Sequence, residues 1–316
     1  MMRRTSIFSW LTLSLALAVC MPSRSAMASP VLWSQLNRLI SAGDYRRAHP
    51  QLERLQALLY HDVEHSQRVT ELAFALAKRR GLSDADALFV AQVAMLHDWD
   101  PSRTVGTPPQ VAETLKLLEG DWNGVRSLVG GGTVSILKTR FGWSELQYRQ
   151  ALAMIQRTDF PYEGRAVEAF ARRLSEIKGD RQRAFALVEG AILSEYADKA
   201  SWYVGSYRKA KRAVCGLANE INALSREPKS LGACIVDLAP QRFMREIGQA
   251  ANFAGDHRLA AELRLTALVA QMLARQGLSS LADRQRILSP LQRLRLWGNA
   301  WRVGRWVRRN AGRTAR

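Results

Sequence analysis

The chain has 316 residues and a formal charge of +18, from 46 basic and 28 acidic side chains, a length that suits one large domain or a domain with an extension. Its three cysteines form no Cys-x-x-Cys pair, which leaves cysteine-ligated zinc and thioredoxin-type chemistry unsupported.

The first 28 residues combine a basic start (Arg3, Arg4), an apolar run from Ile7 to Val19 and the small-x-small sequence Ala26-Met27-Ala28, the pattern of a secretory signal peptide. Thirteen apolar or small residues are too few for a bilayer span that needs ~20, so the chain is expected to be exported to the periplasm with Ser29 near its mature start. Loss of Arg3, Arg4 and Arg24, and of no acid, takes the charge from +18 to +15 over 288 residues. Leu17-Ala18-Val19-Cys20 mimics a lipoprotein box, but Val19 is larger than that cleavage normally accepts, and anchoring at Cys20 ranks second. Arg3-Arg4 lacks the flanking residues of a twin-arginine signal and reads as an ordinary basic start. Only Cys215 and Cys234 would remain, either as a disulfide worth ~3 kcal/mol or as two buried thiols.

Beyond the leader nearly every segment has a helical period and strand-like alternation is scarce, which predicts an all-α fold. Leu52, Leu55, Leu58 and Leu59, then Val69, Leu72, Ala73 and Leu76, recur at intervals of three and four. Gly81 closes this helix, and Ser83-Asp84-Ala85-Asp86 opens the next, an apolar run through Leu96 that Pro101 ends. A loop follows through Pro108-Pro109. Gly130-Gly131-Gly132-Thr133 has no lysine-serine pair after it, so it reads as a flexible lid or a connector instead of a phosphate loop. Helix is expected from Ser144 to Arg157, then a stop at Thr158-Asp159-Phe160-Pro161-Tyr162-Glu163 that either closes a site or is a capping turn. The next helix carries Asp198 and runs through Trp202, Tyr203 and Tyr207.

From Arg226 a connector containing Pro, Lys and Gly leads to helical segments around Pro240 to Ala254 and Arg258 to Arg275. Residues 29–225 are therefore taken as the principal domain and 226–316 as a helical extension. From Arg284 to Arg316 there are ten arginines and no acid, with Trp297, Trp301 and Trp306 among them. On a helix, Leu294, Trp297, Trp301 and Val307 fall near one face and Arg295, Arg302, Arg305 and Arg309 on its flanks, which suits an anionic membrane surface. A solvated helix or a disordered tail is the competing reading, and nucleic acid is set aside for an exported chain.

Chemistry concentrates in Tyr60-His61-Asp62-Val63-Glu64-His65 and Leu96-His97-Asp98, which hold three of the five histidines. His61 and His65, four residues apart, share one face of a helix, and the turn at Gly81 brings His65 towards His97. A His-Asp pair directly after the apolar run Phe89 to Leu96 is hard to explain as solvated surface. Asp198 follows the apolar run Ala191 to Ala197, where an ionised carboxylate is costly unless paired or metal-bound. Imidazoles with carboxylates suit Zn, Fe, Mn or Co and fit Ca poorly. His49 and His257 stand outside these runs and read as surface or hydrogen-bonded residues.

The order His, His-Asp, Asp resembles the HD-domain metal-dependent phosphohydrolase superfamily over about residues 55 to 205. The resemblance implies an HD-type helical bundle in which His65, His97, Asp98 and Asp198 bind one divalent transition metal ion. The opening Tyr-His-Asp-x-x-His is similar to the Tyr-His-Asn-x-x-His segment of cyclic-nucleotide phosphodiesterases, whose leading histidine protonates the leaving group without binding metal; that role would fall to His61. Asp98 would also partner the attacking water, and Lys199 would neutralise the phosphate. Arg68 is a further cation near the His65 face, with a solvated surface charge as its stronger reading. HD proteins that hold two irons use extra histidines between the His-Asp pair and the last Asp, and residues 99 to 197 contain none. That leaves one ion, or a second held by carboxylates such as Asp100, Asp159 or Glu163, and it favours hydrolysis over oxygenation.

The expected function is hydrolysis of a small phosphate ester, nucleotides leading by family analogy alone. The alternative is an HD-fold binding or scaffold protein with a vestigial metal site, held on anionic membrane by its basic tail.

Overall fold

The computed structural model describes residues 60–61, 63–100, 110–159, 162–224, 253–276 and 288–310, with isolated positions between 34 and 44. Residues 1–28 with Cys20, His49, the leucines from Leu52 to Leu59, Pro108-Pro109 and Cys234 lie outside the described residues. The fold is all-α, with no strand among the described residues.

Helix α1 (Val63–Arg79) buries Val69, Leu72, Ala73 and Leu76, the stripe its periodicity predicts, and has Glu64 in its first turn with Lys78 and Arg79 in its last, each favourable to the helix dipole. It ends at Gly81, whose φ of +80° lies in the left-handed region that side chains with a Cβ disfavour. Ser83 then caps α2 (Asp84–Leu96), its hydroxyl accepting from Asp86 N at 3.1 Å. So short a turn makes α1 and α2 antiparallel and sets the start of the first beside the end of the second. From Phe89 to Leu96 every residue of α2 is buried, and the helix is covered by α1 and by two later helices.

Helices α3 (Val111–Trp122) and α4 (Ile136–Thr139) are joined by the glycine-rich segment. Buried Asp121 accepts from Leu128 N, Ile136 N, Leu137 N and Ser135 Oγ at 2.8–3.0 Å, gathering the connector around one carboxylate. Helix α5 (Glu145–Gln156) opens with the reciprocal Ser144 and Gln147 capping box, and α6 (Arg165–Ser175) packs Ala166, Val167, Phe170 and Leu174 inward. Helix α7 (Asp180–Ala184) passes through a π-helical stretch, Phe185–Gly190, into α8 (Ala191–Ser201). Gly190 lets α5 approach closely: a Cβ there would lie 2.5 Å from Met154 Sδ, so the methionine would have to shift.

The helix carrying Asp198 does not continue to Tyr207. It ends at Ser201, and α9 (Tyr207–Leu224) starts after a turn. Ser206 Oγ accepts from Lys209 N, while Asn299 Nδ2 donates to the carbonyls of Tyr203 and Gly205, so the backbone groups freed by the break have partners. The helical segment read from Arg258 to Arg275 is also divided, into the end of α10 (Phe253–Glu262) and α11 (Thr266–Gln276). Arg264 takes a φ of +59°, and Leu265 N donates back to Ala260 O. This is a left-handed helix stop made without glycine.

Helix α12 (Pro290–Asn310) is a single packed helix and not a disordered tail. Leu296, Ala300 and Val303 join Leu259, Leu265 and Val269 in the same hydrophobic cluster as α1 and α2. Residues assigned from sequence to an extension thus help build the common core.

Candidate metal centre

His65 is the third residue of α1 and His97 caps the C-terminus of α2, so the antiparallel pair places both imidazoles at one end. Helix α8 packs across α1 and α2 and contributes Asp198, while Asp98 follows His97 directly. His65 Nε2 lies 3.3 Å from Asp98 Oδ2 and 3.3 Å from Asp198 Oδ1; His97 Nε2 lies 2.9 and 3.6 Å from the same two oxygens. Ligands bound to one ion at ~2.0–2.2 Å, at tetrahedral or octahedral angles, stand about 2.8–3.6 Å apart, and the four His–Asp spacings fall in that range, so the group could hold a metal ion. These four residues are the one group of three or more metal-binding side chains among the described residues.

The tautomer of His97 fits as well. Its Nδ1 donates to Ala94 O at 2.7 Å, which leaves the Nε2 lone pair for the centre. That nitrogen approaches Asp98 Oδ2 to 2.9 Å. Burial opposes a charge on His97, yet Asp98 and Asp198 outweigh it and push the imidazole up to about 10. His65 shifts upward for the same reasons, burial again opposing. Against the opposing effect of burial, His97, His65 and His61 hold Asp98 well below the usual carboxylate range, and Lys199 with the two imidazoles does the same for Asp198. The two carboxylates therefore favour positive charge on the imidazoles between them, a charge that a metal ion bound by the same donors would also supply.

Lys199 turns back on its neighbour, Nζ 2.8 Å from Asp198 Oδ2, so it pairs with the oxygen that faces away from the histidines. Asp98 is the open edge of the set, with 16% of its side chain exposed.

His61 stands beside the four donors, its Nε2 4.0 Å from Asp98 Oδ2. Glu220 on α9 holds it: one carboxylate oxygen accepts from Tyr60 N and His61 N at 2.9 and 3.0 Å, and the other meets Nδ1 at 2.6 Å. The buried ring of Tyr60 packs on His61, His65 and Trp202 with centroids 4.4–4.5 Å away. Sequence reading missed Glu220. Its one signal is that it is the sole acid in α9, a helix whose first half holds Arg208, Lys209, Lys211 and Arg212.

The other sequence candidates lie apart. Arg68, partly buried, pairs with Glu64 at 2.9 Å. Asp100 is buried and accepts from Gln110 N, Asp159 accepts from Gln156 Nε2, and Glu163 is exposed; none belongs to the four-donor group. The stop after α5 is bound into a second polar cluster that sequence reading also missed. There buried Arg157 contacts Glu195 and Asp256, and stacks on the Tyr162 ring at 3.5 Å while Tyr162 donates to Asp256.

Neither a family model, a characterised protein nor a solved structure matches the chain. The class rests on fold and site: an all-α protein with a largely buried two-histidine, two-aspartate group that could hold a metal ion.

Proposed function

We propose that the protein is a metal-dependent phosphohydrolase of HD type, using one divalent transition metal ion (Mn, Fe, Co or Zn) and acting on a small phosphate ester, with nucleotides or cyclic nucleotides the leading class. The observation that carries this reading is convergence. Four donors from the α1–α2 pair and α8 face one another across 2.9–3.6 Å, and His61 Nε2 stands at their edge. The order of these residues along the chain, with its resemblance to HD phosphohydrolases, supplies the reaction class.

An ion held by His65, His97, Asp98 and Asp198 would lower the pKa of a coordinated water to near 7 and polarise a phosphoryl oxygen. Asp98, the more exposed carboxylate, accepts from the attacking water. Lys199 keeps a positive charge beside Asp198 and offsets that of the entering phosphate. Glu220 accepts the Nδ1 proton of His61, so Nε2 is the atom from which His61 protonates the departing oxygen.

The test is metal analysis of the purified protein together with a panel of phosphomonoesters and cyclic nucleotides assayed with Mn, Co, Zn and Mg. His97→Ala and Asp98→Ala are expected to lose metal and hydrolysis together, since a methyl group cannot replace a ligand. His61→Ala should keep the metal and lose about 100-fold in rate, most for poor leaving groups. Equal metal loss in His61→Ala and His65→Ala would sink the proton-donor assignment. A folded wild-type protein that neither retains metal nor hydrolyses any ester would leave the binding-protein alternative in its place.

A further inference from the structure

Helix α12 has two apolar faces where a helix of a globular protein needs one. Leu296, Ala300 and Val303 are buried against the core, while Leu291, Leu294, Trp297 and Trp301 are exposed by 46, 70, 46 and 59%. The side chain of Val307, grouped with them from sequence, lies outside those described. Contiguous large apolar side chains left in water mark an interaction surface.

The strip next to this face is cationic. Arg302, Arg305 and Arg309, with Tyr207, Trp301 and Trp306, line an open recess of about 270 Å³. The Arg302 guanidinium lies 4.2 Å from the Tyr207 ring centroid and that of Arg305 4.6 Å from Trp301, so both planes are supported by aromatic rings. Helix α12 contains no Asp or Glu, and among the described residues Arg295, Arg302, Arg305 and Arg309 meet no carboxylate. Lys211 of α9, over the Trp306 ring at 4.2 Å, adds to the same charge.

We propose that this face of α12 docks the protein onto an anionic phospholipid surface, with Leu291, Leu294, Trp297 and Trp301 at headgroup depth and the arginine recess taking a lipid phosphate. No described helix is long and apolar enough to cross a membrane, so α12 lies on the surface and does not span it. A phosphodiester backbone would satisfy the arginines but leave Leu291 and Leu294 in water. A second copy of the chain would set like charge against like charge.

The experiment is sedimentation of the purified full chain with vesicles of phosphatidylcholine alone or mixed with phosphatidylglycerol, with tryptophan fluorescence followed in parallel. The expected result is salt-sensitive binding to the mixed vesicles only, with a blue shift. The triple variant Arg302→Gln, Arg305→Gln, Arg309→Gln should weaken binding by about 100-fold, near fivefold per arginine. Leu294→Ser with Trp301→Ser should abolish the blue shift and most of the binding. All five positions face away from the core, so helical content and metal content should stay at wild-type levels; a variant that loses helical content is replaced by single substitutions of the same residues. Absence of binding, or equal binding to both vesicle types, overturns the proposal. So does a duplex DNA that displaces the protein from vesicles while the Leu294 and Trp301 variant still binds that DNA at full strength, since the face would then be one for nucleic acid.

Discussion

Arg157 and His97 are both shut away from solvent, yet the clusters around them are built on opposite plans. The guanidinium of Arg157 is enclosed by Glu195, Asp256 and Tyr162, so cation, carboxyl groups and hydroxyl pair with one another inside the protein. Burial pushes Glu195 above the usual carboxylate range, with Arg157 pulling the other way. Around His97 the polar atoms converge on one another, with Nε2 2.9 Å from one carboxylate and 3.6 Å from a second. A closed cluster fixes how helices dock. A convergent one leaves a place for a cation from outside. Glu189 follows neither plan: its carboxyl is buried, and both oxygens lack a hydrogen-bond partner.

The largest effect should come from opening the closed cluster. Arg157→Met leaves Glu195 and Asp256 facing each other without their cation, and is expected to cost about 3–5 kcal/mol in denaturant unfolding. The folded fraction should still bind metal at full stoichiometry. A cost under about 1 kcal/mol would show that the cluster is not the clamp its geometry indicates.

Glu189 gives the next effect, through pH. Burial raises its carboxyl from 4.5 to about 7. Between those values the folded protein binds more protons than the unfolded chain, so this contribution is fully present below about 4.5 and lost as the pH rises through about 7. Glu189→Gln should flatten that part of the stability profile and raise stability above pH 7 by about 3 kcal/mol. Unfolding curves at pH 5 and pH 8 decide the matter, and a variant whose profile still tracks wild type would assign the slope elsewhere.

The smallest effect sharpens the other side of the comparison. Glu220→Gln keeps an acceptor for the backbone N–H groups but can no longer receive the Nδ1 proton on a carboxylate. The expected outcome is a rate loss of about 10–100-fold with metal content unchanged. Loss of metal instead would make Glu220 part of the support for the donors and not of the proton donor.

What could be read from sequence followed the range of the interaction. The Ser83 cap and the stop at Gly81 depend on neighbours within a few residues, and they stand where sequence placed them. His65, His97, Asp98 and Asp198 were legible because few side chains bind transition metals and a buried aspartate needs a reason. Glu220 was not, since its partner is 159 residues away and nothing local marks it. Asp121 acts on backbone N–H groups, which every sequence offers, and Arg264 stops a helix in a conformation that normally signals itself by glycine. On α12 the pattern was read and its packing missed. The exposed face, with Leu294, Trp297 and Trp301, is the bulkier of the two, while the buried one relies on Leu296, Ala300 and Val303.

The π-helical stretch from Phe185 to Gly190 sets a rotational phase. Each added residue turns everything downstream by about 100° around the helix axis, so a wider turn placed before α8 decides which side of that helix meets α1 and α2. In this phase Met154 fits against Gly190, Glu195 reaches Arg157, and Asp198, three residues further on the same side, arrives at the two histidines. One irregular turn thereby keeps the structural clamp and the candidate centre in step.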